Sequence, residues 1–80
     1  MIIMEQALIL VILASSFKSE TLEKIRMIPG VTMAYLLYGS YDLFVTIKVD
    51  TLNELRATVI KIREIEGIKS TVTCNVIKQA

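Results

Sequence analysis

The sequence has no histidine and no tryptophan, and only one cysteine, one proline and three glycines in 80 residues. Without histidine, the histidine-based catalytic triads are excluded. Cys74 has no partner for an internal disulfide. With neither a histidine nor a second cysteine, the usual structural zinc sites are excluded as well. Three glycines, all at turn positions, leave no glycine-rich phosphate loop. Basic runs are also missing: nine basic and eight acidic residues alternate along the chain and give a net charge of +1. Direct nucleic-acid binding therefore lacks its basic stripe. The apolar run Ala7–Ala14 is too short to cross a membrane, which takes about 20 residues. Glu5 precedes that run and no Lys or Arg does, unlike a secretory signal. A cytoplasmic protein is expected, with no membrane partner and with Cys74 kept reduced.

What the chain does have is apolar residues, 54% of the total. A single domain spanning residues 1–80 is expected from the length. A core that small is marginal, and small folds are usually completed by disulfides, metal or partners. With the first two excluded, self-association is the remaining device.

The chain also repeats itself. Lys24-Ile25-Arg26-Met27-Ile28-Pro29-Gly30-Val31 matches Lys61-Ile62-Arg63-Glu64-Ile65-Glu66-Gly67-Ile68, 37 residues further on. The shared letters read as structural grammar: a helix ends, glycine takes a left-handed turn, and a β-branched residue opens a strand. The expected elements follow. A strand over Glu5–Ala14 has both faces apolar. A helix over Glu20–Ile28 is capped by Ser19 and lined by Leu22, Ile25 and Ile28. After Pro29-Gly30, a strand runs over Val31–Leu37. Gly39-Ser40 predicts a two-residue hairpin turn. In the next strand Leu43, Val45, Ile47 and Val49 alternate with Phe44, Thr46 and Lys48. Thr51 and Glu54 form a capping box before a helix lined by Leu52, Leu55, Val59 and Ile62. The last strand covers Lys69–Lys78. Val72, Cys74 and Val76 share one side of it, with Cys74 expected in the core.

This order is βαββαβ, a ferredoxin-like α+β fold with a four-stranded antiparallel sheet and two helices on one face. Strand one can leave neither face to water. The face away from the helices therefore needs a second sheet, and a dimer packed through open sheet faces is expected.

No enzyme constellation is visible, and no cofactor or metal is expected. Asp42 and Asp50 fall at opposite ends of one strand, too far apart to work as a carboxylate pair. Nothing identifiable lowers the pKa of Cys74. The informative stretch is Tyr38-Gly39-Ser40-Tyr41-Asp42. It reads either as a plain hairpin with tyrosines paired across the strands, or as a site. In the second reading, exposed N–H groups, a hydroxyl and a carboxylate hold the ends of an amino acid against apolar walls.

Gly39-Ser40-Tyr41-Asp42-Leu43 resembles the Gly-x-Tyr-Asp-Leu hairpin of the Lrp/AsnC effector-binding domain, the RAM domain. Ile28-Pro29-Gly30-Val31 and Glu66–Thr73 resemble that family's entries to strands two and four, so the resemblance covers nearly the whole chain. It implies dimers formed through the sheet, octamers of four dimers, and an amino-acid effector bound between dimers. Carried over, the contacts are Tyr38, Gly39, Ser40, Tyr41 and Asp42, with Thr71 and Thr73 contributed by a neighbouring subunit. Asp42 would take the ligand ammonium or hold the hairpin and the assembly. The family's helix-turn-helix domain has no room before strand one, as in stand-alone RAM modules. Such a module would sense an amino acid and co-assemble with full-length Lrp/AsnC-type regulators. A ligand-free assembly partner and a dimeric α+β barrel enzyme are the alternatives. The enzyme would need a polar cavity between sheet and helices, which the apolar stripes oppose. An ACT-type domain lacks the Gly-x-Tyr-Asp hairpin.

Overall fold

The computed structural model describes residues 4–77. Its elements run β1 (Glu5–Leu13), α1 (Ser19–Arg26), β2 (Val31–Leu36), β3 (Leu43–Val49), α2 (Leu52–Arg63) and β4 (Ile68–Asn75). The strands form one antiparallel sheet in the order β2-β3-β1-β4. This is the expected βαββαβ arrangement. The most apolar strands, β1 and β3, take the two central places, and β2 and β4 form the edges.

Alternation sorts the residues of the central strands. Ala7, Ile9 and Val11 of β1 and Leu43, Val45, Ile47 and Val49 of β3 are buried on the helix side. Ile25 of α1 and Leu55 and Ile62 of α2 close the core over them. Leu8, Leu10 and Ile12 lie on the opposite face, which no helix covers. There they form rows with Thr46 and Cys74, with Phe44 and Val72, and with Ser70. Tyr35 stacks on Phe44 at 6.3 Å between ring centroids and extends the apolar surface to the β2 edge.

The two repeated segments make the same exit from their helices. Met27 donates to Glu23, Ile28 to Ile25 and Val31 to Ile28; the equivalents Glu64, Ile65 and Ile68 donate to Ile60, Ile62 and Ile65. Gly30 and Gly67 follow at φ +99° and +102°. Thr21 and Thr58, the two buried polar residues among the described residues, also sit one repeat apart. Each packs against the glycine of the other half, so the helices are locked crosswise.

Several local expectations need correction. Ser19 is the first helical residue and not the cap: Lys18 precedes the helix in extended conformation, and its N–H donates to Thr21 Oγ1 at 3.2 Å. Thr51 does cap α2, accepting from Glu54 N–H at 3.1 Å. The Glu54 carboxylate, however, accepts from Asp50 N–H rather than from Thr51. Thr58, not Leu52, completes the buried stripe of α2. Leu52 sits in the first turn of α2 and is exposed. Cys74 is exposed, not in the core. It pairs with Leu8, so it shares the open face, and the helix side of β4 carries Thr71, Thr73 and Asn75 instead. The hairpin turn is also longer than two residues. The ladder closes with Leu36 opposite Leu43 and with Leu37 N–H donating to Asp42 O, so Tyr38–Tyr41 form a four-residue loop. Strand four ends at Asn75, and Lys78 lies outside the described residues.

Candidate functional site

Asp42 organises the corner where β3 begins and β1 ends. Its N–H donates to Val11 O at 2.9 Å, its carbonyl accepts from Leu37 N–H at 2.8 Å, and its Oδ2 accepts from Leu13 N–H at 2.9 Å. The carboxylate thus takes the place of a backbone acceptor that the end of β1 has lost. It is half-buried, and one donor leaves most of its acceptor capacity unused.

Asp42 lies in a cleft of about 560 Å³ with Leu13, Ala14, Ser15, Phe17, Leu36, Leu37 and Tyr38. The walls are mainly apolar, and Asp42 holds the only carboxylate among them. Tyr38 is fully exposed, and no ring pair joins it to Tyr41 among the described residues. Gly39 and Ser40 are exposed in the loop beyond the cleft, and Tyr41 is half-buried. Gly39 holds φ +129° with nothing within 4 Å of where a Cβ would sit. The loop therefore needs glycine for its backbone and not for space.

Thr71 and Thr73 stand elsewhere. They are on β4, separated from β3 by β1, so about 10 Å of sheet lies between them and the hairpin strand. Thr71 is half-buried opposite Val11. Thr73 and Asn75 border a second groove of about 370 Å³, floored by Leu55, Val59 and Ile60 of α2 and flanked by Arg56 and Arg63. One chain therefore brings Tyr38 and Asp42 together but leaves the two threonines at the far edge.

Sequence reasoning missed the walls of the first cleft. Phe17 is the only aromatic residue between β1 and α1, and that isolation was its one signal. It missed the second groove too, although Arg56 and Arg63 are spaced to share one face of α2. Among the described residues, no three potential metal ligands cluster, and no helix is long and apolar enough to cross a membrane.

The comparisons with known proteins agree with one another. The model of the Lrp/AsnC ligand binding domain matches residues 6–80. An uncharacterised HTH-type transcriptional regulator of Pyrococcus horikoshii is 40% identical over 55 residues, covering 68% of this chain and 37% of that protein. The chain thus spans little more than a third of the length of this curated relative. A hypothetical protein from Pyrococcus horikoshii superposes with a TM-score of 0.82 at 37% identity, over 94% of this chain and 92% of the other. E. coli AsnC superposes with a TM-score of 0.83 at 30% identity, over 94% of this chain and 52% of the other.

Proposed function

The chain belongs to the Lrp/AsnC ligand-binding domain family, and on that premise we propose that residues 1–80 form one oligomeric module that binds an amino-acid effector. The family is a ligand-binding domain of transcriptional regulators, not a family of enzymes. The observation that carries the reading is the cleft at the hairpin: a half-buried carboxylate set among apolar walls, beside an exposed glycine loop. Asp42 would accept from the effector ammonium. The loop N–H groups at Gly39 and Ser40 would donate to its carboxylate. Phe17, Leu13 and Leu36 would receive its side chain, with Tyr38 and Tyr41 at the rim.

The cleft is open on its outer side, and Thr71 and Thr73 are not near it within one chain. In this proposal a neighbouring subunit supplies them. The open sheet face gives the first association: Met33, Tyr35 and Val72 are exposed there beside Leu10 and Phe44. Dimers would form through this face, and an octamer of four dimers would bring hairpin and threonines together. Mixed assembly with full-length Lrp/AsnC-type regulators would pass the effector signal on.

Calorimetry against the twenty amino acids at millimolar concentration is the test. Saturable heat from at least one is expected, and no heat from any would sink the sensing claim. A ligand-free assembly partner is the second reading, favoured by the Leu13 N–H already seated on Asp42. It predicts capture of a full-length relative from native lysate together with silent calorimetry.

A further inference from the structure

The chain departs from its own repeat at the β1–α1 corner. The helices α1 and α2 end at equivalent residues, Arg26 and Arg63, 37 apart. Yet α1 has 8 residues and α2 has 12, so α1 lacks about one turn at its start. Residues 15–18, the counterparts of the first turn of α2, form a loop instead. The side chains differ as well. Leu13 and Phe17, both half-buried, stand where the second half has Asp50 and Glu54, both exposed. A local break in an otherwise consistent pattern is the mark of a functional site.

The loop is pinned. Phe17 N–H donates to Ala14 O at 3.0 Å, and Ala14 N–H donates to Gly67 O at 2.8 Å. Lys18 N–H donates to Thr21 Oγ1, and that hydroxyl donates to Glu66 O at 3.3 Å. The backbone of Phe17 lies so close to Gly67 that a Cβ there would stand 3.1 Å from Phe17 Cα. Both ends of the loop are thereby tied to Glu66-Gly67, the turn that precedes β4. The result is a fixed wall for the cleft at Asp42. Leu13, Ala14, Ser15 and Phe17 line that side, and Phe17 is the largest of the four.

We propose that Phe17 is the specificity-determining residue of this cleft, and that it selects effectors with an uncharged, apolar side chain. The inference rests on the effector-binding reading given above. In that reading Asp42 and the hairpin loop take the two ends common to every amino acid, so they do not choose among side chains. The wall at the β1–α1 corner is what reads the side chain, and it holds no charged residue. An acidic side chain would face the Asp42 carboxylate with no cation from this wall to offset it. A basic one would compete with the effector's own ammonium for Asp42. An apolar one exchanges water for Leu13 and Phe17 and gains with its buried area. Because the wall is pinned beforehand, little ordering is needed at binding. Thr21 and Gly67 lie outside the cleft and act through the loop, as positioning residues.

Calorimetry with alanine, leucine, glutamate and lysine is the test, with circular dichroism to check the fold of each variant. The parent should bind leucine at least about tenfold more tightly than glutamate or lysine. Phe17→Ser should weaken leucine at least about fivefold and leave alanine within about twofold, because alanine keeps both common ends but little side chain. Thr21→Val should also weaken leucine more than alanine, and Thr21→Ser, which keeps the hydroxyl, should match the parent. Tighter binding of glutamate or lysine than of leucine by the parent would overturn the proposal, and so would equal losses for alanine and leucine in Phe17→Ser. Either result leaves the effector reading standing, as does silence with leucine alongside heat from another of the twenty amino acids. Silence with all twenty would remove both. The ranking in the parent needs no variant, so it decides even where Phe17→Ser fails to fold.

Discussion

Asp42 has two possible duties, and one substitution series separates them. Asp42→Ala removes the acceptor for Leu13 N–H. It should cost about 1–2 kcal/mol, read as a lowered urea midpoint. Asp42→Asn keeps an oxygen for Leu13 and removes the charge, so its stability should stay within about 1 kcal/mol of the parent. If the carboxylate also receives an effector ammonium, the Asn variant should lose the calorimetric signal while remaining folded. A variant that binds as well as the parent would leave Asp42 with the structural duty alone. Sequence reasoning named Asp42 and both duties. The distance to Leu13 could not be read from the letters, because 29 residues separate the partners and only the β1–β3 pairing brings them together.

At the scale of elements, the repeat accounts for more than the two helix ends. Each half contributes a glycine that needs a left-handed backbone and a threonine that fills the space beside the other half's glycine. A Cβ at Gly67 would stand 3.0 Å from Thr21 Oγ1 and 3.1 Å from Phe17 Cα, at a φ that L-residues avoid. Gly39→Ala meets only the backbone penalty, about 1–3 kcal/mol. Gly67→Ala meets that penalty and a collision with main chain. Urea unfolding should therefore rank Gly67→Ala as the more damaging, and the reverse order would refute the crosswise lock. The order of elements was legible from period and punctuation. Their ends were not: the loop at Tyr38–Tyr41 is four residues long because Asp42 holds the closing pair with Leu37, and no dipeptide rule contains that bond.

For the whole molecule, the consequence is an uncovered apolar sheet. Light scattering should give a mass well above the 9.0 kDa of one chain. Val72 is exposed in the single chain, so Val72→Glu should leave the fold intact by circular dichroism and shift the assembly toward one chain. Cys74 reports the same event. It lies opposite Leu8 on that face, and a dimer should slow its alkylation, with the rate restored in the Val72→Glu variant. Rapid alkylation in the parent at concentrations where scattering shows a dimer would place the interface elsewhere.

Composition and periodicity alone determined the fold class and the surplus of apolar surface, because these depend on local alternation and on counts; the central position of β1 and β3 came from the strand pairing. The inside and outside of β4 needed the register against β1: the alternation of Val72 and Cys74 with Thr71 and Thr73 was plain in the sequence, but its polarity was not. An edge strand is held on one side only and borders the helix layer instead of lying beneath it, so polar residues can occupy its helix side. The same pairing set Thr71 and Thr73 apart from the hairpin. That separation supports the proposal, drawn from the family resemblance, that a neighbouring subunit supplies the threonines.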